Sequence, residues 1–326
     1  MKVLPQAGTM AWLLIAAACT SAPPPADGTL LASEPWPIRT PYEQQDELTR
    51  FRVPRDVYEA AQHDPSVVCE RIVYASDGLR ITGALCRPAH HDGAPLPVIL
   101  FCRGGTGDFG SLADAELVTF HDWARRGYVV IASNNRGGGG SEGLDTWDDA
   151  VVDDAMNLLP LLRRMPDVDC TRLFVVGQSR GVMTACCALR RGLPARAAVL
   201  MAGVTDLKRW VADDPAFLDG DDEVFRAIGW PGLRTVWADF AHTAEAHYRA
   251  LSPAFWADEL RAPILILHAK DDGRVAVDNA YALDAALTAA GREHELHVYE
   301  HDGHGLPLNR EDRDARIDAW CRRHDR

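Results

Sequence analysis

The sequence is short of positive charge. Its 34 lysines and arginines face 47 aspartates and glutamates, a formal net charge of −13. A chain of this balance offers no basic footprint for nucleic acid and no electrostatic hold on an anionic membrane surface. Long apolar runs are also missing: past residue 18 nothing is long and apolar enough to span a bilayer. The cysteines at 69, 86, 102, 170, 186, 187 and 321 lack the paired C-x-x-C spacing of zinc sites. No repeat is visible, and no low-complexity block follows residue 30. The glycine-rich RGGGGSEG (136–143) lacks G-K-[ST] and is not a G-x-G-x-x-G opening a helix, which excludes a nucleotide-phosphate reading. No cofactor or metal is expected. What remains is ordinary globular material: 326 residues, 47% hydrophobic and 25% charged, enough for one large α/β domain or two small ones.

The first residues read as a targeting segment. Lys2 gives a weakly positive start, and MAWLLIAAA (10–18) is a short apolar run of signal-peptide type. Cys19 follows three alanines and precedes TSAPPPADG. This resembles a bacterial lipobox with Cys19 as the lipidated residue, although Ala16 stands where that pattern prefers leucine. The expectation is an exported protein, a periplasmic or outer-membrane lipoprotein, with its sole membrane attachment at Cys19. It divides into signal peptide (1–18), tether and N-terminal wrap (19–62) and catalytic domain (63–326). Export permits disulfides. VVCERIVYASDGLRITGALCRP reads as a hairpin turning at Asp77-Gly78, which sets Cys69 opposite Cys86. The two are either a cross-strand disulfide or two half-buried small hydrophobes. Cys186 and Cys187, adjacent on a helix, read as packing residues.

From residue 66 the pattern is regular. Strands are expected at 67–75, 80–87, 97–102, 128–133, 172–177, 195–203, 263–268 and 294–300. Helices are expected at 111–127, 145–165 with a kink at Pro160, 180–192, 276–290 and 308–323, with a short one near 54–62. The aspartates 148, 149, 153 and 154 read as a solvated helix face. Alternating strands and helices imply a mostly parallel, doubly wound α/β sheet. Residues 204–255 read as a long irregular region, expected to lie over the site as a short helical insert.

The stretch VVGQSRG carries the chemistry. A serine hydroxyl is a weak nucleophile and needs a histidine to take its proton and a carboxylate to orient that histidine. Gly177-Gln178-Ser179-Arg180-Gly181 is a G-x-S-x-G between a strand and a helix, the context that exposes a serine on a sharp turn. The partners follow in chain order. Asp271 and Asp272 close the strand PILILH, at the carboxyl end where open α/β sheets bind ligands. His304 sits between two glycines after the strand HELHVYE. Each placement alone is commonplace; the three together are not.

At this point the chain resembles the catalytic domain of the prolyl oligopeptidase (S9) family, within the α/β-hydrolases. DGLRITGALCRP, PVILFCRGGTGDFG, RGYVVIASNNRGGGGSEG, VVGQSRG, YRALSPAFWADELRAPILILHAKDDGRV and YEHDGHGL carry the likeness, which covers about 65–324. It implies Ser179 as nucleophile and His304 as base, with Arg136 anchoring its glycine-rich loop. In the family pattern the acid stands four residues after a strand-end histidine and three before a valine. His268 and Val275 both then point to Asp272, ahead of Asp271. His301 is the alternative base, without a following glycine. The resemblance also implies oxyanion donors at the Arg180 N–H and a backbone N–H among Gly104, Gly105 and Thr106. Arg103 replaces the histidine common there, as a charge near the site or as half of a structural salt bridge. Val182 replaces a usual glycine, which puts the tilt of the following helix in question.

Trp210, Phe217, Trp230 and Trp237 are expected to line a pocket for an acyl group or side chain, or else to pack the insert. Asp219, Asp221, Asp222 and Glu223 are a substrate-amine site or a solvated loop. Large family members carry a propeller that screens substrate size, for which 326 residues leave no room. The expected partner is therefore a small molecule or short peptide. The expected activity is cleavage of short peptides or acyl amides. Carboxylic or acyl-sugar ester hydrolysis is the alternative, and a silent binding protein of this fold the third.

Overall fold

The computed structural model describes residues 24–325; the expected signal segment and Cys19 lie outside the described residues. The strands are β1 (Leu30–Pro35), β2 (Val67–Ser76), β3 (Leu79–Pro88), β4 (Leu96–Cys102), β5 (Val129–Ser133), β6 (Val168–Gln178), β7 (Ala197–Met201), β8 (Ile264–Ala269) and β9 (His294–Tyr299). They form one sheet in the order β1-β2-β3-β5-β4-β6-β7-β8-β9. Pairing is antiparallel from β1 to β5 and parallel from there on. The central strands are short apolar runs because both faces are covered. Val98, Leu100 and Val175 point into one apolar cluster, and Ile99, Phe101, Phe174 and Val176 into the other. The fold is that of an α/β-hydrolase.

Several expectations are corrected. β1 is a strand that was not expected, within the segment read as tether and N-terminal wrap. Its side chains are mostly exposed, so pairing with β2 through the backbone holds it. The helix expected at 145–165 begins at Asp149, capped by the Asp148 carboxylate, and ends at Met156. A proline ring at 160 collides with the carbonyl four residues earlier, and a second helix, Leu158–Leu162, carries the chain on. Asp154 is not on a solvated face. It is fully buried and accepts from Arg136 Nη2 at 2.8 Å and Ser76 Oγ at 2.7 Å. Arg136 also reaches Asp77 at 2.7 Å, which ties the glycine-rich loop to the hairpin turn. The 204–255 region is more regular than its sequence suggests, with a twelve-residue helix at Phe240–Leu251.

Cys69 and Cys86 are register partners across β2 and β3 and are joined as a disulfide, their Cα atoms 4.1 Å apart. Cys186 and Cys187 are buried packing residues. Among the described residues no helix is long and apolar enough to cross a membrane.

Candidate active site

β6 runs out at Gln178 and the helix Gly181–Arg190 starts three residues later. Between them Ser179 adopts φ 56°, a left-handed conformation that costs a non-glycine residue energy and must be held by its surroundings. The Ser179 N–H donates to the Met201 carbonyl at 2.9 Å. A Cβ on Gly181 would fall 1.9 Å from the Cys102 carbonyl oxygen, so no side chain fits where the helix crosses β4. Val182 is accommodated without loss of the turn: its side chain fills the space a Cβ on Gly203 would take.

The loops after β8 and β9 bring the acid and the base to this turn. His304 Nε2 stands 3.0 Å from Ser179 Oγ, and Nδ1 stands 2.9 Å from Asp272 Oδ2. With Nδ1–H donating to the carboxylate, Nε2 is left to accept from the serine hydroxyl. Burial alone would raise the Asp272 carboxyl. Hydrogen bonds from His268 and His304 outweigh it and hold the group well below the usual carboxylate range. Asp272 Oδ1 also accepts the N–H groups of Arg274 and Val275 at 2.9 and 3.0 Å. His268 is buried, its Nε2 donating to the Val275 carbonyl at 2.8 Å and lying 3.4 Å from Asp272 Oδ2. The alternatives pair elsewhere: His301 is exposed and sits 3.5 Å from Asp271. Sequence reasoning missed Asp302. Buried, it accepts from the N–H groups of Leu308 and Asn309 and pins the His304 loop.

Facing the serine is the loop after β4. A Cβ on Gly104 would meet Ser179 Cβ at 2.8 Å, so the loop backbone lies against the serine. The N–H groups of Gly104, Gly105 and Arg180 have no protein acceptor among the described residues. Thr106 is a correction. Its N–H donates to the Phe109 carbonyl at 3.0 Å and is not available as an oxyanion donor. Arg103 lines the cavity at Ser179, as the first of its two readings had it, and is not half of a salt bridge. It is buried and has no carboxylate within salt-bridge distance among the described residues. Its guanidinium donates to the carbonyls of Asn134, Gly104, Phe109 and Gly107 at 2.8 to 3.1 Å and so clamps the loop. Burial pulls its pKa down to about 10.

The Arg180 side chain forms a two-pronged pair with Asp145, at 2.5 and 2.6 Å, and lies 4.1 Å from the Trp147 ring centre. Burial works against the Asp145 charge, but the Arg180 cation and its hydrogen bonds win and lower the carboxyl's pKa. Asp145 Oδ2 also accepts the Gly107 N–H at 2.9 Å.

A cavity of about 470 Å³ opens at Ser179 and His304. Trp210 and Phe217 line it as expected, together with Trp147, Phe225, Val224, Phe109 and Val275, which were not expected there. Trp230 and Trp237 do not line it. Their indole N–H groups donate to the carbonyls of Asp145 and Thr146 at 3.1 and 3.0 Å, and the rings pack behind the wall. The N-terminal segment adds Leu48 and Arg52 to the lining, where Arg52 pairs with Glu116. The acidic run at 219–223 is not among the lining residues. Asp219 pairs with Arg234 at 3.0 Å, and Asp222 caps the helix Glu223–Ala227. Among the described residues no cluster of His, Cys, Asp and Glu has the makings of a metal site.

Fold and site together define a serine hydrolase. The family model of the prolyl oligopeptidase family matches residues 115–325, more than half the chain, and the chain belongs to that family. It is 28% identical over 240 residues to the uncharacterized peptidase YtmA of Bacillus subtilis, covering 72% of this chain and 86% of that one. Among solved structures it resembles the Pyrococcus horikoshii acylaminoacyl peptidase (TM-score 0.62, 22% identity), covering 79% of this chain but 42% of that one. It also resembles the acetyl xylan esterase of Paenibacillus sp. R4 (TM-score 0.59, 21% identity), covering 79% of this chain and 86% of that one. Both likenesses are of fold.

Proposed function

We propose that this chain hydrolyses short peptides or acyl amides through an acyl-enzyme on Ser179. Ser179 Oγ attacks the carbonyl carbon while its proton passes to His304 Nε2, and Asp272 holds the imidazole and balances the resulting imidazolium. The oxyanion forms against the N–H groups of Arg180 and of Gly104 or Gly105. Collapse breaks the acyl bond, and the leaving amine takes the proton from Nε2. Water then repeats the sequence and frees Ser179. The observation carrying this reading is the chain of contacts from Ser179 Oγ through His304 to buried Asp272 at the wall of an open cavity. The aromatic wall suits an apolar side chain or acyl group. We further propose that the protein is exported and anchored by lipid at Cys19.

Ester hydrolysis is the second reading. It is favoured by the coverage of most of an acetyl xylan esterase, against less than half of an acylaminoacyl peptidase. The test is a matched panel of acyl esters and peptidyl amides, run with the wild type and Ser179→Ala and with fluorophosphonate labelling of both. Serine-dependent amide turnover supports the first reading, and ester turnover alone supports the second. Folded wild type that takes no label overturns both.

A further inference from the structure

The charges around the cavity cancel except for one sign. Glu116 is the sole carboxylate residue among the described residues that line it, and Arg52 neutralises it at 2.9 Å. Arg180 is neutralised by Asp145. Arg103 is a cation, but buried with its donors turned to backbone carbonyls. Arg274 is different. It is exposed, lines the cavity and has no carboxylate within salt-bridge distance among the described residues.

Its position is fixed at the main chain. The Arg274 N–H donates to Asp272 Oδ1 at 2.9 Å, and its carbonyl accepts from Trp210 Nε1 at 2.9 Å. Its guanidinium lies 5.6 Å from the ring centre of Phe109. Phe109 belongs to the loop whose Gly104 touches Ser179. The side chain therefore reaches from the acid loop toward the loop facing the serine, along the cavity, and none of its five N–H donors has a protein acceptor among the described residues. In a protein of net charge −13, an unpaired cation at this point is a local reversal of sign. Among the described residues no unneutralised carboxylate lines the cavity to receive an α-ammonium group.

We propose that Arg274 selects substrates carrying a carboxylate next to the group that enters the aromatic wall, and that the site discriminates against a free α-amine. This rests on the hydrolase reading above and names its substrate class. A guanidinium–carboxylate contact at a half-open mouth is worth about tenfold in kcat/KM, and the preference weakens with ionic strength.

The experiment compares N-succinyl, N-acetyl and free-amino phenylalanyl p-nitroanilides, with p-nitrophenyl monosuccinate and butyrate as the ester pair. Each is run at low and high salt with wild type, Arg274→Gln, Arg274→Glu and Arg274→Lys. The expected result is a succinyl preference over acetyl of about tenfold, expressed in KM and reduced by salt. It disappears in Arg274→Gln, is largely restored in Arg274→Lys, and shifts toward the free amine in Arg274→Glu. If no substrate turns over, labelling rates with carboxylate-bearing and neutral fluorophosphonates read the same preference. Rates indifferent to charge, or a succinyl-to-acetyl ratio unchanged in Arg274→Gln, overturn the assignment of Arg274 and leave the hydrolase reading standing. Absence of any labelling overturns the hydrolase reading itself and this inference with it.

Discussion

Gly104→Ala separates the chemistry of the site from the stability of the fold. The glycine does not occupy the left-handed region, so alanine brings no backbone penalty there. What it brings is one methyl group in the wrong place. Its Cβ would stand 2.8 Å from Ser179 Cβ, 3.1 Å from the Gln178 carbonyl oxygen and 3.4 Å from Ser179 Oγ. Neither neighbour yields easily. Ser179 is fixed by its N–H bond to Met201, and the 104–110 loop by the Arg103 clamp. The strain therefore appears as a shift between the serine and the N–H groups that face it. An overpacked methyl costs stability about 1–3 kcal/mol. Loss of one aligned oxyanion donor costs about 10²- to 10³-fold in kcat. The assay is kcat and KM on the best substrate of the ester and amide panel, with urea unfolding alongside. The expected variant unfolds as one cooperative unit, keeps KM within about threefold and loses about a hundredfold in kcat. A folded variant whose kcat stays within about threefold of wild type would refute the placement of the oxyanion at this loop.

The other predictions concern the acid loop and the hairpin. His268→Asn should lower kcat by about tenfold with little change in KM, because Asp272 loses a neighbouring donor and Val275 its partner. A kcat within about threefold of wild type would reduce His268 to a packing residue. Because the folded Asp272 carboxyl lies below its usual range, the folded state binds fewer protons there. Its contribution to stability is full above about pH 4 and lost as pH falls further. The stability gap between wild type and Asp272→Asn, measured by urea unfolding, should therefore be wider at pH 7 than at pH 3. Replacing Cys69 and Cys86 together by serine removes a link between residues 17 apart and should cost about 3 kcal/mol. The wild type in reductant should fall to the same value, and equal stability of all three samples would count against the bond.

What the sequence revealed depended on whether a residue's fate was settled locally. Central strands such as VVIAS are buried on both faces, so their composition alone marks them. Ser179, Asp272 and His304 could be read because each closes or follows such a strand in a fixed order. β1 could not, because LLASEP presents few apolar contacts and pairs through its backbone. The helix Phe240–Leu251 was hidden inside an aromatic-rich stretch that looked irregular as a whole. Asp154 looked like its neighbours on a charged helix face. Its burial follows from Arg136, which is 18 residues away in sequence and reaches it only after β5 and the next helix have packed.

The same distinction explains the pocket, and points to residues 145–147 as the part that organises it. The sequence placed them inside a helix, yet Trp147 has φ 50° and stands in the loop before it. From there Asp145 holds the Arg180 guanidinium on one side and the Gly107 N–H on the other. Trp147 donates to Thr106 Oγ1 at 3.1 Å and lies parallel to Trp210, ring centres 5.9 Å apart. The carbonyls of Asp145 and Thr146 receive Trp230 and Trp237 across 85 and 91 residues of sequence. Three loops that carry the serine turn, the facing backbone and the insert thus meet on one short segment. Aromatic composition pointed to the insert but could not divide its tryptophans, because all three indole N–H groups find a carbonyl and only the place of that carbonyl decides which ring faces the cavity. Trp230 and Trp237 find theirs here, behind the wall, whereas Trp210 finds the Arg274 carbonyl beside the cavity and lines it with Phe217 and Trp147.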